Sequence, residues 1–433
     1  MSRSARVLFT AGSALVLLTF LAPPRAAAFP AFARKYGLRC TACHEAWPAL
    51  SDFGRAFRDN GYQLGLGQDN PIQTPLAYIP FAIRITPHYE YNTTSHQQTD
   101  QGTQTLKSGS VADIGLDLLT GGTLFDNVSF LVVPTGFTAD DGVTLESAWV
   151  RLSNLGGSSW ANFKLGKHEV DLPRSAHRPW NLSSTGYLIY GYHAPGSASL
   201  YDMGENQRGV EWVGHDRGSF TRAAVSVFNV EESPGSRDVF DTPGVYAHVT
   251  REWLFDGYGL SAFRIGVFGS YTTWPTNSLS LDGEPIPGQG NELKGSSKLG
   301  FDASFWLGPN VTPVHVLIVY AHGKDGQALI PDATRDGSFN GGFVEVGYTP
   351  TLKTTLFARY DFVRNQTQAV PDTPKNLYDE DAETFGIRRT LNFSNRAEYA
   401  LHAEFSSMRT RLAADDGADV RNNTLFLGID FAY

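Results

Sequence analysis

From residue 81 to the carboxy terminus the chain runs as a succession of segments of about ten residues in which apolar and polar side chains alternate. A period of two puts every second side chain on the same face of a strand. Sixteen such segments are present: Phe81–Tyr91, Ala112–Thr120, Val128–Val133, Thr144–Leu152, Trp160–Glu169, Arg208–Gly214, Ser219–Val230, Gly244–Trp253, Leu260–Thr272, Ser297–Leu307, Val311–His322, Gly342–Tyr348, Thr354–Val363, Thr384–Phe393, Arg396–Ser407 and Thr424–Tyr433. Helical periodicity is absent among them. The fold class expected is therefore mainly β, with an even number of strands.

The connections alternate in length. Gly121–Asn127, Ser153–Ser159, His215–Gly218, Leu254–Tyr258, Gly308–Asn310, Thr349–Lys353 and Ser394–Asn395 are short. Asn92–Val111, Trp274–Gly295, Gly323–Gly341 and Arg364–Ala382 are long and polar. Short turns on one rim and long loops on the other predict a transmembrane antiparallel β-barrel of the bacterial outer membrane. A soluble sandwich or propeller is the competing all-β answer, but no blade repeat is visible and a sandwich of this length would be unusual. Trp149, Trp160, Trp212, Tyr348 and Tyr360 fall near strand ends, which suits interfacial aromatic girdles, although an aromatic in a strand also serves for plain packing. The last residues, Leu425, Leu427, Ile429, Phe431 and Tyr433, alternate strictly and end on an aromatic. That ending resembles the carboxy-terminal signal of outer-membrane barrel proteins.

The amino-terminal region has a different texture. Residues 1–28 read as a secretory signal peptide: Arg3 and Arg6 form the charged start, Val7 to Leu21 the apolar run, and Ala26 and Ala28 precede a cut ahead of Phe29. The apolar run is too short for a membrane-spanning helix, and nothing later approaches about 20 apolar residues. Cleavage would remove three arginines and no acids, taking the formal charge from -9 to -12. So acidic a chain is a poor partner for nucleic acid.

Residues 29–67 contain Cys40-Thr41-Ala42-Cys43-His44, a C-x-x-C-H run that uses both cysteines of the chain. This is the attachment sequence of a c-type haem: two thiols reach two vinyl groups on one edge of the porphyrin, and the next residue ligates the iron. A thioredoxin-like pair would need a βαβ context, and half of a zinc site would need a second ligand pair. A disulfide across three residues would leave His44 unexplained. The prediction is one covalently bound haem c held by Cys40 and Cys43, with His44 as proximal ligand. Leu50, Phe53, Ala56 and Phe57 stripe one face of a helix that Pro48 can start and Gly61 can end. A segment this short cannot cover a haem alone, so another surface must do so. Residues 68–79 then serve as a linker and 80–433 as the barrel.

The longest interruption of the strand pattern, Val170 to Gln207, supplies candidates for a sixth iron ligand: His177, His193 and Met203, with His168 at the strand end before it. The same residues also serve as ordinary loop and lumen groups. Acidic clusters on the long rim (Asp140 and Asp141, Glu231 and Glu232, Asp379 to Asp381, Asp415 and Asp416) would draw in cations, or simply keep loops solvated. No Ser-His-Asp arrangement, phosphate loop or zinc-hydrolase motif stands out.

The stretch FPAFARKYGLRCTACHEAWPALSDFGRAFRDNGY resembles the haem segment of the fused monohaem cytochrome–porins. The likeness lies in F-A-R before the haem motif, P-x-L after it, then F-G-R-x-F and a closing G-Y. It covers about 35 residues; Ser51 stands where that family often has Asn. The resemblance implies a short α-helical haem-bearing plug inside the barrel, and electron transport across the outer membrane between extracellular Fe(II) and a periplasmic electron carrier. It also suggests that the third long-rim loop folds into the lumen, as in general porins. Two other functions fit the residues less well: a diffusion porin with an accessory haem, and a peroxidase-like haem enzyme.

Overall fold

The computed structural model describes residues 31–38, 40–46, 49–64, 81–99, 102–138, 142–182, 185–199, 201–230, 243–255, 259–275, 293–308, 314–351, 353–367, 369–370, 377–393, 398–411 and 419–432. The signal-peptide and linker assignments fall outside these residues, as do Asp140, Asp141, Glu231, Glu232, Asp415 and Asp416.

Helices α1 (Ala31–Tyr36) and α2 (Cys40–Cys43) are followed by a small hairpin, β1 (His44–Ala46) and β2 (Ala49–Leu50), and then by helix α3 (Asp52–Asp59). The sixteen long strands come next: β3 (Phe81–Thr99), β4 (Gly102–Phe125), β5 (Val128–Thr138), β6 (Gly142–Leu152), β7 (Asn162–His168), β8 (Gln207–His215), β9 (Thr221–Asn229) and β10 (Pro243–Leu254). They continue as β11 (Leu260–Pro275), β12 (Leu293–Leu307), β13 (Val314–Asp325), β14 (Gly337–Thr351), β15 (Thr354–Thr367), β16 (Glu380–Phe393), β17 (Glu398–Thr410) and β18 (Val420–Ala432). Each pairs antiparallel with its neighbours in sequence, and β18 closes the barrel on β3 through pairs such as Leu425 with Tyr91 and Phe431 with Ile85. All sixteen predicted segments coincide with a strand.

The barrel is inside out relative to a soluble protein. Val210, Val227, Val249, Val267, Leu299, Phe301, Phe385, Leu401 and Leu427 lie exposed on the outer wall. Glu211, Ser226, Thr250, Asp302, Glu345, Arg359, Thr384 and Glu404, which alternate with such positions, are buried inside. Only lipid makes that pattern favourable, because an apolar wall of this extent would not persist in water.

One predicted loop is instead a ladder. Residues 92–99 and 102–111 continue β3 and β4 as a paired ladder, with Asn92 opposite Ser108 and Thr94 opposite Leu106. Beyond the apolar band both strand faces meet water, so the alternation that marks a strand in the sequence is no longer required. The threonines there still favour extended backbone.

Candidate functional site

Helix α3 starts at Ser51, whose hydroxyl accepts the Gly54 N–H at 3.1 Å and donates to the Ala42 carbonyl at 2.8 Å. Pro48 was the expected start; the side-chain cap at Ser51 fixes it instead, three residues on. Asn is an equally good cap at such a position. The first bond satisfies a free helix N–H, and the second ties the helix to the Cys40–Cys43 turn. Gly54 lies so close to that turn that a Cβ on it would sit 2.0 Å from the Cys43 carbonyl oxygen. The helix ends where Tyr62 N–H reaches back to the Phe57 carbonyl (2.9 Å) across Gly61, whose φ is +71°. Phe57 is buried among Phe32, Tyr36 and Tyr62, and Tyr62 stacks on Trp149 of the wall with centroids 6.1 Å apart.

Charged contacts lock this segment into the short-turn end of the lumen. Asp59 is fully buried and paired with Arg58 (3.0 Å) and Arg222 (3.2 Å). Its carbonyl accepts from Arg151 Nη2 (2.5 Å) and from His215 Nε2 (2.8 Å). Arg55 grips Glu252 with one nitrogen on both oxygens, at 2.8 and 3.1 Å, and Asn60 accepts from Asn154 of the β6–β7 turn at 2.7 Å. Burial alone would raise the Asp59 carboxyl, but Arg222, Arg58 and Arg151 together hold it well below the usual carboxylate range.

From the opposite rim the β7–β8 connection folds inward. Tyr187, Ile189, Tyr190, Tyr201 and Met203 form an apolar cluster with Phe228, Tyr246, Phe268, Phe339 and Phe343 of the wall, around the short helix α4 (Leu188–Gly191). The Tyr187 hydroxyl donates to Glu345 (2.9 Å), and burial foremost, with Glu345 beside it, raises its pKa. Arg359 of β15 donates to Asn181 at 2.8 Å and to the Thr185 carbonyl at 2.7 Å. The loop crosses the lumen: the Thr185 and Ser406 hydroxyls, the latter on β17, lie 2.5 Å apart.

A cavity of about 480 Å³ remains between plug and loop, inside the range of about 300–1,000 Å³ usual for cofactor sites. Cys43 lines it, with Leu50 and Phe57 from the plug and Trp149 and Leu317 from the wall. Cys40 lies on the same helix α2, and His44 begins β1; their side chains are outside the described set.

The four candidate sixth ligands separate into two pairs. His168 and His177 line the cavity, and each has a buried Nε2 with no hydrogen-bond partner. Met203 is fully buried in the loop–wall cluster. His193 is engaged at both nitrogens, Nδ1 with Asp325 (3.0 Å) and Nε2 with the Tyr201 carbonyl (2.6 Å). A third cavity histidine, His315 of β13, also has an unpartnered Nε2; its ring stacks on Trp306 with centroids 4.6 Å apart. Sequence reading passed over it because a single inward polar residue in a strand carries no local signal. Arg151 and Arg222 were missed for the same reason, and Asp59, the last residue of helix α3, because its distant partners leave no mark on the local sequence. Among the described residues no group of three or more His, Cys, Asp or Glu is placed to hold a free metal ion. Of the acidic rim clusters, Asp379 to Asp381 are described: Asp379 and Asp381 are paired with Arg411 and Arg364, and Glu380 accepts from the Thr410 hydroxyl at 3.3 Å.

The fold is that of bacterial outer-membrane porins. It is similar to in-vitro folded OmpT of Vibrio cholerae in its trimer form, at 10% identity over 82% of this chain and 99% of that one, with a TM-score of 0.50. It is similar to an anion-selective porin from Comamonas acidovorans (13% identity, 82% and 99% covered, TM-score 0.50). OprB of Pseudomonas putida gives 11% identity over 82% and 94%, with a TM-score of 0.52. No protein-family model matches the chain, and no curated protein sequence does.

Proposed function

We propose that this porin-like outer-membrane barrel carries one covalently bound haem c in its lumen and serves electron transport across the membrane. One observation carries the reading: Cys43 of the C-x-x-C-H motif lines a lumen cavity whose wall also holds three histidines with buried, unpartnered Nε2 atoms. Leaving a buried polar atom unpaired costs about 1–3 kcal/mol, so three such atoms around one space speak for a group that satisfies at least one of them. The cavity fits a macrocycle in kind as well, with apolar and aromatic walls and cationic side chains (Arg55, Arg174, Arg264) for acidic substituents.

In this reading Cys40 and Cys43 hold the group and His44 binds its iron. A bound haem supplies a one-electron Fe(III)/Fe(II) couple whose potential follows its axial ligands and its burial. The protein's own contribution is position and exclusion of water. The plug closes the lumen from the short-turn rim through Asp59, Arg55 and Asn60, and the folded loop closes it from the long rim. The apolar band of such barrels is about 25 Å tall, so a haem held between plug and loop would lie near enough to both faces for electron exchange. The long rim is assigned to an extracellular reductant such as Fe(II), and the short-turn rim to a periplasmic electron carrier.

A second reading, a diffusion porin with an accessory haem, draws on the fold likeness and on the basic cavity wall, where Arg151, Arg174, Arg178, Arg222 and Arg264 would suit anions. Two measurements on the purified protein separate them. The conduit reading expects a c-type spectrum that sharpens on anaerobic Fe(II) addition, and bilayers that stay electrically silent. Steady open-channel conductance would favour the porin, and the absence of covalent haem after denaturation would refute the conduit.

A further inference from the structure

We propose that His168 is the sixth ligand of the haem iron, an assignment that rests on the haem-bearing reading above. The residue is 1% exposed and stands at the last position of β7, on the wall of the lumen. Its Nδ1 lies 3.1 Å from the Gly166 carbonyl oxygen. A carbonyl only accepts, so Nδ1 carries the proton. In the neutral imidazole the other nitrogen, Nε2, is then a bare lone pair. That atom is buried and unpartnered, on a residue that lines the cavity. A histidine that donates one ring N–H to a backbone carbonyl and offers the other nitrogen has the usual form of an oriented metal ligand.

The backbone beneath it is built for this orientation. Gly166 has φ +133°, and a Cβ there would lie 2.2 Å from the Ala148 carbonyl oxygen. Only glycine takes that conformation readily, and a glycine kink in a strand re-aims the side chains beyond it. A ligand mounted on a strand is also held more rigidly than one on a loop. The other candidates are less suited. His193 has both nitrogens occupied, and Met203 is enclosed in the apolar cluster. His177 sits on the inward loop, and the contact described for it, other than through its carbonyl, is its backbone N–H to Glu169 at 3.2 Å. His315 is packed flat on Trp306.

The test uses the full-length haem-loaded protein. His168→Ala is expected to convert the oxidised spectrum from six-coordinate low-spin to five-coordinate high-spin while covalent haem content stays unchanged, and added imidazole restores the low-spin form. His177→Ala and His315→Ala keep the wild-type spectrum. A His168→Ala protein that stays low-spin, or a His177→Ala protein that loses it, overturns the assignment. If His168→Ala fails to assemble, near-infrared magnetic circular dichroism of the wild type decides: a histidine–methionine signature overturns the proposal. A bis-histidine signature that survives in both other variants supports it. Wild-type protein without covalent haem would instead refute the underlying haem reading, a distinct result visible before any variant is made.

Discussion

Asp59→Asn should loosen the plug. The substitution keeps shape and removes the carboxylate that pairs with both Arg58 and Arg222 inside the lumen. Arg58 is 35% exposed, so solvent screens its share and little of the effect comes from it. Arg222 and Asp59 are 11% and 1% exposed, and breaking a buried pair from one side costs about 3–5 kcal/mol. Arg222 keeps a second partner in Asp171, which favours the lower end. About 3 kcal/mol corresponds to roughly 10²-fold in the ratio of docked to undocked plug. The assay is single-channel recording in planar bilayers, with a variant lacking residues 31–64 as the open reference. Open events should rise on that scale, together with proteolysis of the amino-terminal segment. An Asp59→Asn protein as silent as wild type, under conditions where the truncated variant conducts, would refute the argument. The pH dependence has a definite sign. The docked carboxyl lies below its free value, so the latch is at full strength above the ordinary carboxylate range. Its contribution is lost only as pH falls through that range toward the lower docked value, and mild acid alone should not open the channel.

Cys40→Ser with Cys43→Ser should abolish covalent haem, read by haem staining after denaturation, while heat-modifiable migration shows the barrel still assembled. Val267→Arg places a cation on the lipid face, where Val267 is 57% exposed, and should cost about 2–4 kcal/mol near the midplane, read as lost assembly in vesicles. Ser51→Ala removes the cap of α3 and should weaken plug docking by about 1 kcal/mol, whereas Ser51→Asn should leave it intact; limited proteolysis distinguishes the two.

The sixteen strands were legible because lipid on one side and a polar lumen on the other impose a period of two, and that period is written residue by residue. It failed where the constraint ends, at residues 92–111, whose strands continue into water. The C-x-x-C-H motif, on which the proposal of a haem rests, was legible because thioether attachment would be a local requirement on consecutive residues. His315, Asp59, Arg151 and Arg222 were not: the contacts of Asp59 with Arg151 and Arg222 span 92 and 163 positions, and His315 reaches the cavity from a distant strand. The ranking of ligand candidates was hidden for a related reason. His168, His177, His193 and Met203 are equal as residue types within reach of the lumen, and only packing set their nitrogens and sulfur apart. The sequence alone thus determined the barrel and its strand number, and it supplied the C-x-x-C-H motif behind the proposed haem, all of which depend on short-range pattern. Tertiary structure alone decided what closes the lumen and which side chains meet there, because closing a cylinder brings together residues whose separation along the chain carries no record of their contact.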